Sequence, residues 1–375
     1  MRTALLLLIL IAQPVSAFDV PVPAPPPVPG TAYFLMDFNS GHAIASKNPD
    51  EQLEPASITK LMTAYIAFSA IANGTLALDE QVTVSNKAYR AVGSRMFIEE
   101  RKRVAVSELL QGMIIQSGND ASIALAEHIA GSEETFAELM NQYAERLGLH
   151  SSSFANATGL PSPGHVSTPH DIAILAAAII REYPEYYRWY SAREYTYNGI
   201  TQHNRNTLLW RDDSVDGVKT GHTDSAGYCL VASAERDGTR LVAVVMGTGS
   251  EKARADATQA LLNYGFRFFE THSLYEAGVP ITTAKVWKGV TREVELGVRE
   301  QIFVTIPRGH YESLSAEMDL QSIIMAPLAA DSEVGQLRVS LGDELITKAA
   351  LFPLAPVESG SLIRRAIDEV MLWFE

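Results

Sequence analysis

Residues 215–223 read VDGVKTGHT, and the rest of the chain can be placed around what this run requires. Lys219-Thr220-Gly221 predicts a Gly-lined strand edge that brings a second lysine and a hydroxyl. Tyr228–Ala234 and Leu241–Met246 predict its neighbouring strands, with a helix over Glu251–Phe268. Two earlier motifs, Ser57-Ile-Thr-Lys60 and Ser117-Gly-Asn119, complete the set. A serine hydroxyl is a poor nucleophile at neutral pH and needs a base within hydrogen-bond reach. On a helix, residues three apart share a face, so Lys60 can be that base for Ser57. Each motif alone is a weak signal. The ordered triple is strong and describes an acyl-transfer site.

The chain has 375 residues, room for two domains, and at 47% hydrophobic it can form a sizeable core. A formal charge of −14, from 44 acidic and 30 basic side chains, argues against a nucleic-acid partner and against broad adhesion to an anionic membrane. An anionic substrate must then be drawn by a local basic pocket. Arg2, the apolar stretch Ala4–Ala12 and the small residues Val15-Ser16-Ala17 predict a signal peptide over 1–17, and hence an exported protein. The apolar stretch is too short to span a bilayer. Cys229 is the only cysteine, so no intramolecular disulfide is expected, and its apolar surroundings predict a buried, inert thiol. Nine histidines occur without a His-x-x-x-His pair, so no metal site is expected, and no cofactor is implied.

Residues 18–30 form a Pro-rich spacer of polyproline type. A first domain, expected to be catalytic, is predicted over 31–270. In it Tyr33–Asp37 and Gly41–Ser46 read as strands around the turn Asn39-Ser40-Gly41. Ser57–Ala72, Val106–Ile115 and Ala121–Ala130 read as helices, with Ser117-Gly118-Asn119 as a loop. Thr168 caps a further helix, with Pro169 at its first position and Asp171 reaching back, a structural role. Over 271–357 the pattern changes to short strands at 292–296, 302–306, 336–341 and 344–348, a small β-rich domain. Residues 358–375 predict an amphipathic helix. Leu362, Ile363, Ala366, Ile367, Val370, Met371 and Phe374 share one face, and Arg364, Arg365, Asp368 and Glu369 take the other.

The motif set resembles that of the serine penicillin-recognising enzymes, and more narrowly the D-alanyl-D-alanine carboxypeptidases, the low-molecular-mass penicillin-binding proteins of peptidase family S11. Asn204-Arg205-Asn206, Leu209-Trp210, Gly265–Thr271 and Ile306–Gly309 carry the resemblance further, over nearly everything after the spacer. It implies an α/β (α+β) penicillin-binding/β-lactamase-like transpeptidase fold, with a small all-β C-terminal domain and a terminal amphipathic helix. It implies that Ser57 attacks the carbonyl between the two terminal D-alanines of a peptidoglycan pentapeptide and forms an acyl-enzyme. Lys60, its pKa lowered by cations and burial, would be the base. Ser117 would relay a proton to the leaving amine, and Asn119 would bind the substrate amide. Lys219 would add positive charge, and Thr220, beside Gly221, would contact the terminal carboxylate. Backbone N–H groups of Ser57 and His222 would form the oxyanion hole. Arg205 and Arg254 match positions that help hold that carboxylate. β-Lactam antibiotics would be covalent inhibitors.

Competing readings share the fold. A class A β-lactamase deacylates with the help of a loop carboxylate. Residues 156–171 contain no Glu, and their only carboxylate is Asp171, so a penicillin adduct is expected to persist. A DD-endopeptidase and a non-catalytic cell-wall peptide-binding protein are the other readings. The terminal helix is expected to lie in the outer leaflet of the inner membrane, giving a peripheral protein on its periplasmic face. The alternative is packing on the β domain or on a second copy as a homodimer. Because the helix is net acidic, burial of Trp373 and Phe374 would have to carry membrane binding.

Overall fold

The computed structural model describes residues 22–374; the expected signal peptide and residues 18–21 of the spacer lie outside the described residues. Five antiparallel strands form the central sheet, in the order Ala43–Lys47, Ala32–Asp37, Thr239–Thr248, Gly227–Arg236, Val215–Thr223. Period-two alternation sends Leu35, Ala243 and Val245 to one face, where they pack with Leu261 and Leu262 of the Glu251–Phe268 helix. Phe34, Val231 and Val244 point to the other face and join a helical lobe. That lobe holds the helices Lys60–Ala72, Val106–Ile115, Asn119–Ala130, Glu133–Arg146 and Pro169–Glu182. The motif-bearing strand Val215–Thr223 is the sheet edge nearest this lobe's first turn. Residues 22–30 lie along the domain rather than hanging free. Val22 and Val28 pack on the core, and Tyr264 Oη donates to the Pro23 carbonyl at 2.9 Å.

Three local expectations change. The helix expected from Ser57 begins at Lys60, preceded by a 3₁₀ turn over Ala56–Thr59 in which Ala56 has φ +47°. The tighter turn follows from Ala56 being wedged against Gly159 and Gly221. The helix expected from Ala121 begins at Asn119. Thr168 caps its helix by accepting the Asp171 N–H at 3.1 Å, but the Asp171 carboxylate does not reach back. It accepts from Ser151 N–H at 3.0 Å and Ser152 Oγ at 2.7 Å, tethering the preceding loop instead.

The Glu251–Phe268 helix runs directly into the strand Phe269–Tyr275, which pairs with Ile302–Pro307. The other strands beyond Tyr275 form a six-stranded sheet, in the order Leu314–Leu320, Gly335–Leu341, Glu344–Pro353, Glu293–Gly297, Thr282–Trp287, Ile324–Met325. One fully buried carboxylate joins the two halves. Asp37 Oδ1 accepts from Asn39 N–H, Ser40 N–H and Ser40 Oγ at 2.9, 2.7 and 3.0 Å. Its Oδ2 accepts from Thr271 Oγ1 at 2.7 Å, and Thr305 Oγ1 lies 2.8 Å from Thr271 Oγ1 and 2.6 Å from Ser40 Oγ. The terminal helix Leu362–Leu372 is capped by Ser361 and tied to Lys288: Asp368 accepts the Lys288 N–H at 2.6 Å, and the exposed Glu369 pairs with the Lys288 ammonium. Its apolar side faces outward, with Ile363 75% and Phe374 87% exposed.

Candidate active site

The 3₁₀ turn presents Ser57 at the mouth of a cleft between the helical lobe and the sheet edge. Lys60 lies one turn on and is buried. Its Nζ sits 2.9 Å from Ser57 Oγ and donates to the Thr158 carbonyl at 2.6 Å. Burial, and then the Arg205 charge, lower this ammonium to about 7, against Asp120 and Glu133, which act to raise it. A good part of Lys60 is therefore a free amine at neutral pH, as a general base needs.

Ser117 closes the next helix in the left-handed region, at φ +68°, and its buried Oγ has no hydrogen-bond partner. Asn119 opens the following helix. Its Nδ2 donates to the Val92 carbonyl at 2.6 Å, whereas its buried Oδ1 has no partner. Leaving such an oxygen unpaired costs about 1–3 kcal/mol, a cost tolerated where a ligand completes the bond. Sequence reading missed Asp120. Its carboxylate accepts from Met96, Phe97 and Ile98 N–H at 3.0, 2.9 and 3.2 Å, fixing the segment that brings Gly93 and Ser94 to the cleft. An acid in the first turn of a helix ordinarily reads as a dipole cap, so nothing in the pattern signalled this duty.

From the sheet edge come Lys219 and Thr220, both buried. Burial, then the charges of Lys60, Arg205 and Arg254, hold the Lys219 ammonium well below the usual lysine range. Gly221 has no room for a side chain: a Cβ there would lie 2.9 Å from the Pro55 carbonyl oxygen and 3.2 Å from Ala56 Cβ. His222 lines the cleft with its ring 4.0 Å from that of Tyr228. Arg205 is exposed on the cleft wall and makes no ion pair among the described residues. Asn206, donating to the Gly217 carbonyl at 2.9 Å, holds its segment against the strand. Arg254 is placed differently. It is buried behind the strand, donates to the Gly221 carbonyl at 3.1 Å, and reaches the cleft only through its charge.

The floor is the loop around Thr158, where Asn156 Oδ1 accepts from Thr158 and Gly159 N–H at 3.1 and 2.8 Å. The resulting cleft, about 330 Å³, is bordered by Ser57, Asn119, Thr158, Arg205 and His222. A larger cleft of about 460 Å³ at the domain junction contains none of the motif residues. Cys229 is buried, its thiol pushed up to about 11 by burial. No cluster of metal-ligating side chains occurs among the described residues. A nucleophile beside its base, two unpaired oxygens, and cations around a strand edge suit acyl transfer from a substrate ending in a carboxylate.

Residues 20–250 match the family model described as D-alanyl-D-alanine carboxypeptidase (peptidase S11). Residues 269–359 match that of the penicillin-binding protein 5 C-terminal domain. The chain is 42% identical to D-alanyl-D-alanine carboxypeptidase DacC of Escherichia coli K12, over 93% of this chain and 89% of that protein. It resembles the crystal structure of penicillin-binding protein 5 from Haemophilus influenzae at a TM-score of 0.87 and 40% identity, over 90% of this chain and 99% of that one. Penicillin-binding protein D2 of Listeria monocytogenes, in its ampicillin-bound form, matches at a TM-score of 0.59 and 31% identity, over 64% of this chain and 98% of that one.

Proposed function

This chain belongs to the D-alanyl-D-alanine carboxypeptidase family and is a serine-type enzyme of it, and from that premise we propose how its residues carry the reaction. The substrate is the pentapeptide stem of peptidoglycan. Its terminal carboxylate enters beside Lys219, Thr220 and Arg205, with Arg254 adding charge from behind Gly221, and its amide completes the bond missing at Asn119. Lys60 takes the Ser57 proton as Oγ attacks the carbonyl between the two D-alanines. Backbone N–H groups of Ser57 and His222 hold the tetrahedral oxyanion. Ser117 relays the proton to the departing amine, D-alanine leaves, and water, deprotonated by the same base, frees Ser57. The 2.9 Å approach of Lys60 to Ser57, with the base near neutrality, carries this reading. The test is D-alanine release from a pentapeptide ending in D-Ala-D-Ala: release that persists in Ser57→Ala would sink it.

β-Lactams acylate the same hydroxyl, and the adduct is long-lived. Two carboxylates bonded at or beside the loop are already engaged, Glu133 by Ala157 N–H at 3.1 Å and Lys87 at 2.9 Å, and Asp171 by Ser151 and Ser152. Neither is placed as a free base for a deacylating water. Intact mass spectrometry showing the penicillin adduct lost within seconds would contradict this.

Export by the signal peptide leaves the protein on the periplasmic face of the inner membrane, held in the outer leaflet by the terminal helix. The engagement of Asp368 and Glu369 by Lys288 supports this, because it partly offsets the acidic charge of the helix while leaving its apolar side outward. No helix among the described residues is long and apolar enough to cross a membrane. Deleting residues 359–375 should abolish vesicle binding. Binding that survives, or a dimer dissociated by the deletion with no vesicle binding beforehand, would assign the helix elsewhere.

A further inference from the structure

The base rests on one backbone carbonyl. Apart from Ser57 Oγ, the hydrogen-bond partner of Lys60 Nζ is Thr158 O, and no carboxylate contacts it among the described residues. That carbonyl sits in a segment, 154–165, with no helix or strand of its own. Thr63 Oγ1, donating to the Ala157 carbonyl at 2.8 Å, ties one side of it to the Lys60 helix. The other side is tied by an imidazole. His165 is 2% exposed, its ring edge-on to Phe154. Its Nδ1 accepts the Ala155 N–H at 3.0 Å, and its Nε2 lies 2.7 Å from Thr59 Oγ1. The backbone N–H can only donate, so Nδ1 carries no proton, and the ring proton is on Nε2, donated to the Thr59 hydroxyl. Thr59 immediately precedes Lys60, and Ala155 lies three residues before Thr158.

We propose that His165, as the neutral Nε2–H tautomer, is a positioning residue for the general base: it fixes the start of the Lys60 helix against the segment that carries the Thr158 carbonyl. This rests on the reading of Lys60 as the base. The fold keeps the ring in that form. Burial and, to a lesser degree, the nearby Lys60 charge lower its pKa to about 4, against the opposing charge of Glu54. His165 thus stays neutral while Lys60 titrates near 7 among Arg205, Lys219, Asp120 and Glu133. A second proton, on Nδ1, would oppose the Ala155 N–H and release the segment, but only in acid.

The experiment follows acylation of Ser57 by a fluorescent penicillin against pH, in the mature chain and in His165→Gln, His165→Ala and Lys60→Ala, with thermal unfolding to confirm folding. His165→Ala should acylate about 100-fold more slowly, the loss expected for roughly 1 Å of misplacement. Its rising limb should also move to higher pH, because water admitted beside Thr158 relieves the burial of Lys60. Glutamine carries both a donor and an acceptor, so His165→Gln should restore most of the rate and the original limb. If alanine does not fold, His165→Asn, too short to reach both partners, takes its place with the same expectation. An unshifted limb in a folded His165→Ala, or equal impairment of the Gln and Ala variants without a shift, overturns the proposal alone. Wild-type acylation by Lys60→Ala removes the base reading and the proposal with it.

Discussion

Burying an ammonium among other cations works against folding, and Lys60 is where activity and stability oppose each other in one side chain. Its pKa falls from 10.5 to about 7, a difference on the order of 5 kcal/mol. The sign follows from proton counting: between about pH 7 and 10 the unfolded chain holds the proton that the folded chain has lost, so stability from this residue rises with pH across that window. Below pH 7 the full penalty remains. Lys60→Met should therefore unfold at a higher temperature than wild type at pH 6–7, while acylation falls by about 10²–10⁴-fold. A lower melting temperature for Lys60→Met at pH 6 would show that the burial penalty is misjudged. Ser57, Lys60, Ser117, Asn119 and Lys219 could be singled out in the sequence because their side chains carry distinctive chemistry in a distinctive order, and the fold gathers them around one cleft. The acceptor of Lys60 was not, because a backbone carbonyl such as that of Thr158 is carried by every residue type. The resemblance points to Arg254 as a carboxylate-holding position, but its burial and its bond to the Gly221 carbonyl are set by tertiary packing that sequence does not report.

Among the elements, the junction of the 3₁₀ turn with the sheet edge sets the nucleophile's position. Gly221 allows the strand to run against Pro55 and Ala56, so Gly221→Ala must push the two apart by a few tenths of an ångström. Acylation by penicillin is expected to drop by about 10–100-fold, with only a small fall in melting temperature. Wild-type acylation rates in this variant would mean that the turn is not held by the strand. The turn itself was hidden in the sequence, since the apolar pattern continues unbroken from Ile58 into the helix and favours one long helix. The strand Leu314–Leu320 was hidden for the opposite reason. Five of its seven residues are exposed, leaving no buried face to mark a period of two.

Across the whole molecule, the two halves meet through Asp37, Ser40, Thr271 and Thr305, a contact invisible in sequence because its members lie up to 268 residues apart and are ordinary turn and strand residues. Thr271→Val combined with Thr305→Val should leave the Asp37 carboxylate short of a donor and make the relative orientation of the halves broader by small-angle scattering. An unchanged scattering profile would assign the alignment to the flanking strands instead. Every partner of that carboxylate is a neutral hydroxyl or amide, and the group is out of water. Mobile ions screen exposed charge pairs strongly but reach a buried carboxylate–hydroxyl network weakly. From about 0.01 to 1 M salt the radius of gyration should therefore stay constant, even though the surface carries a large negative charge. The Asp37 junction would then act as a rigid joint, keeping the cleft at one angle to the strand pair that follows it in dilute and in concentrated salt alike.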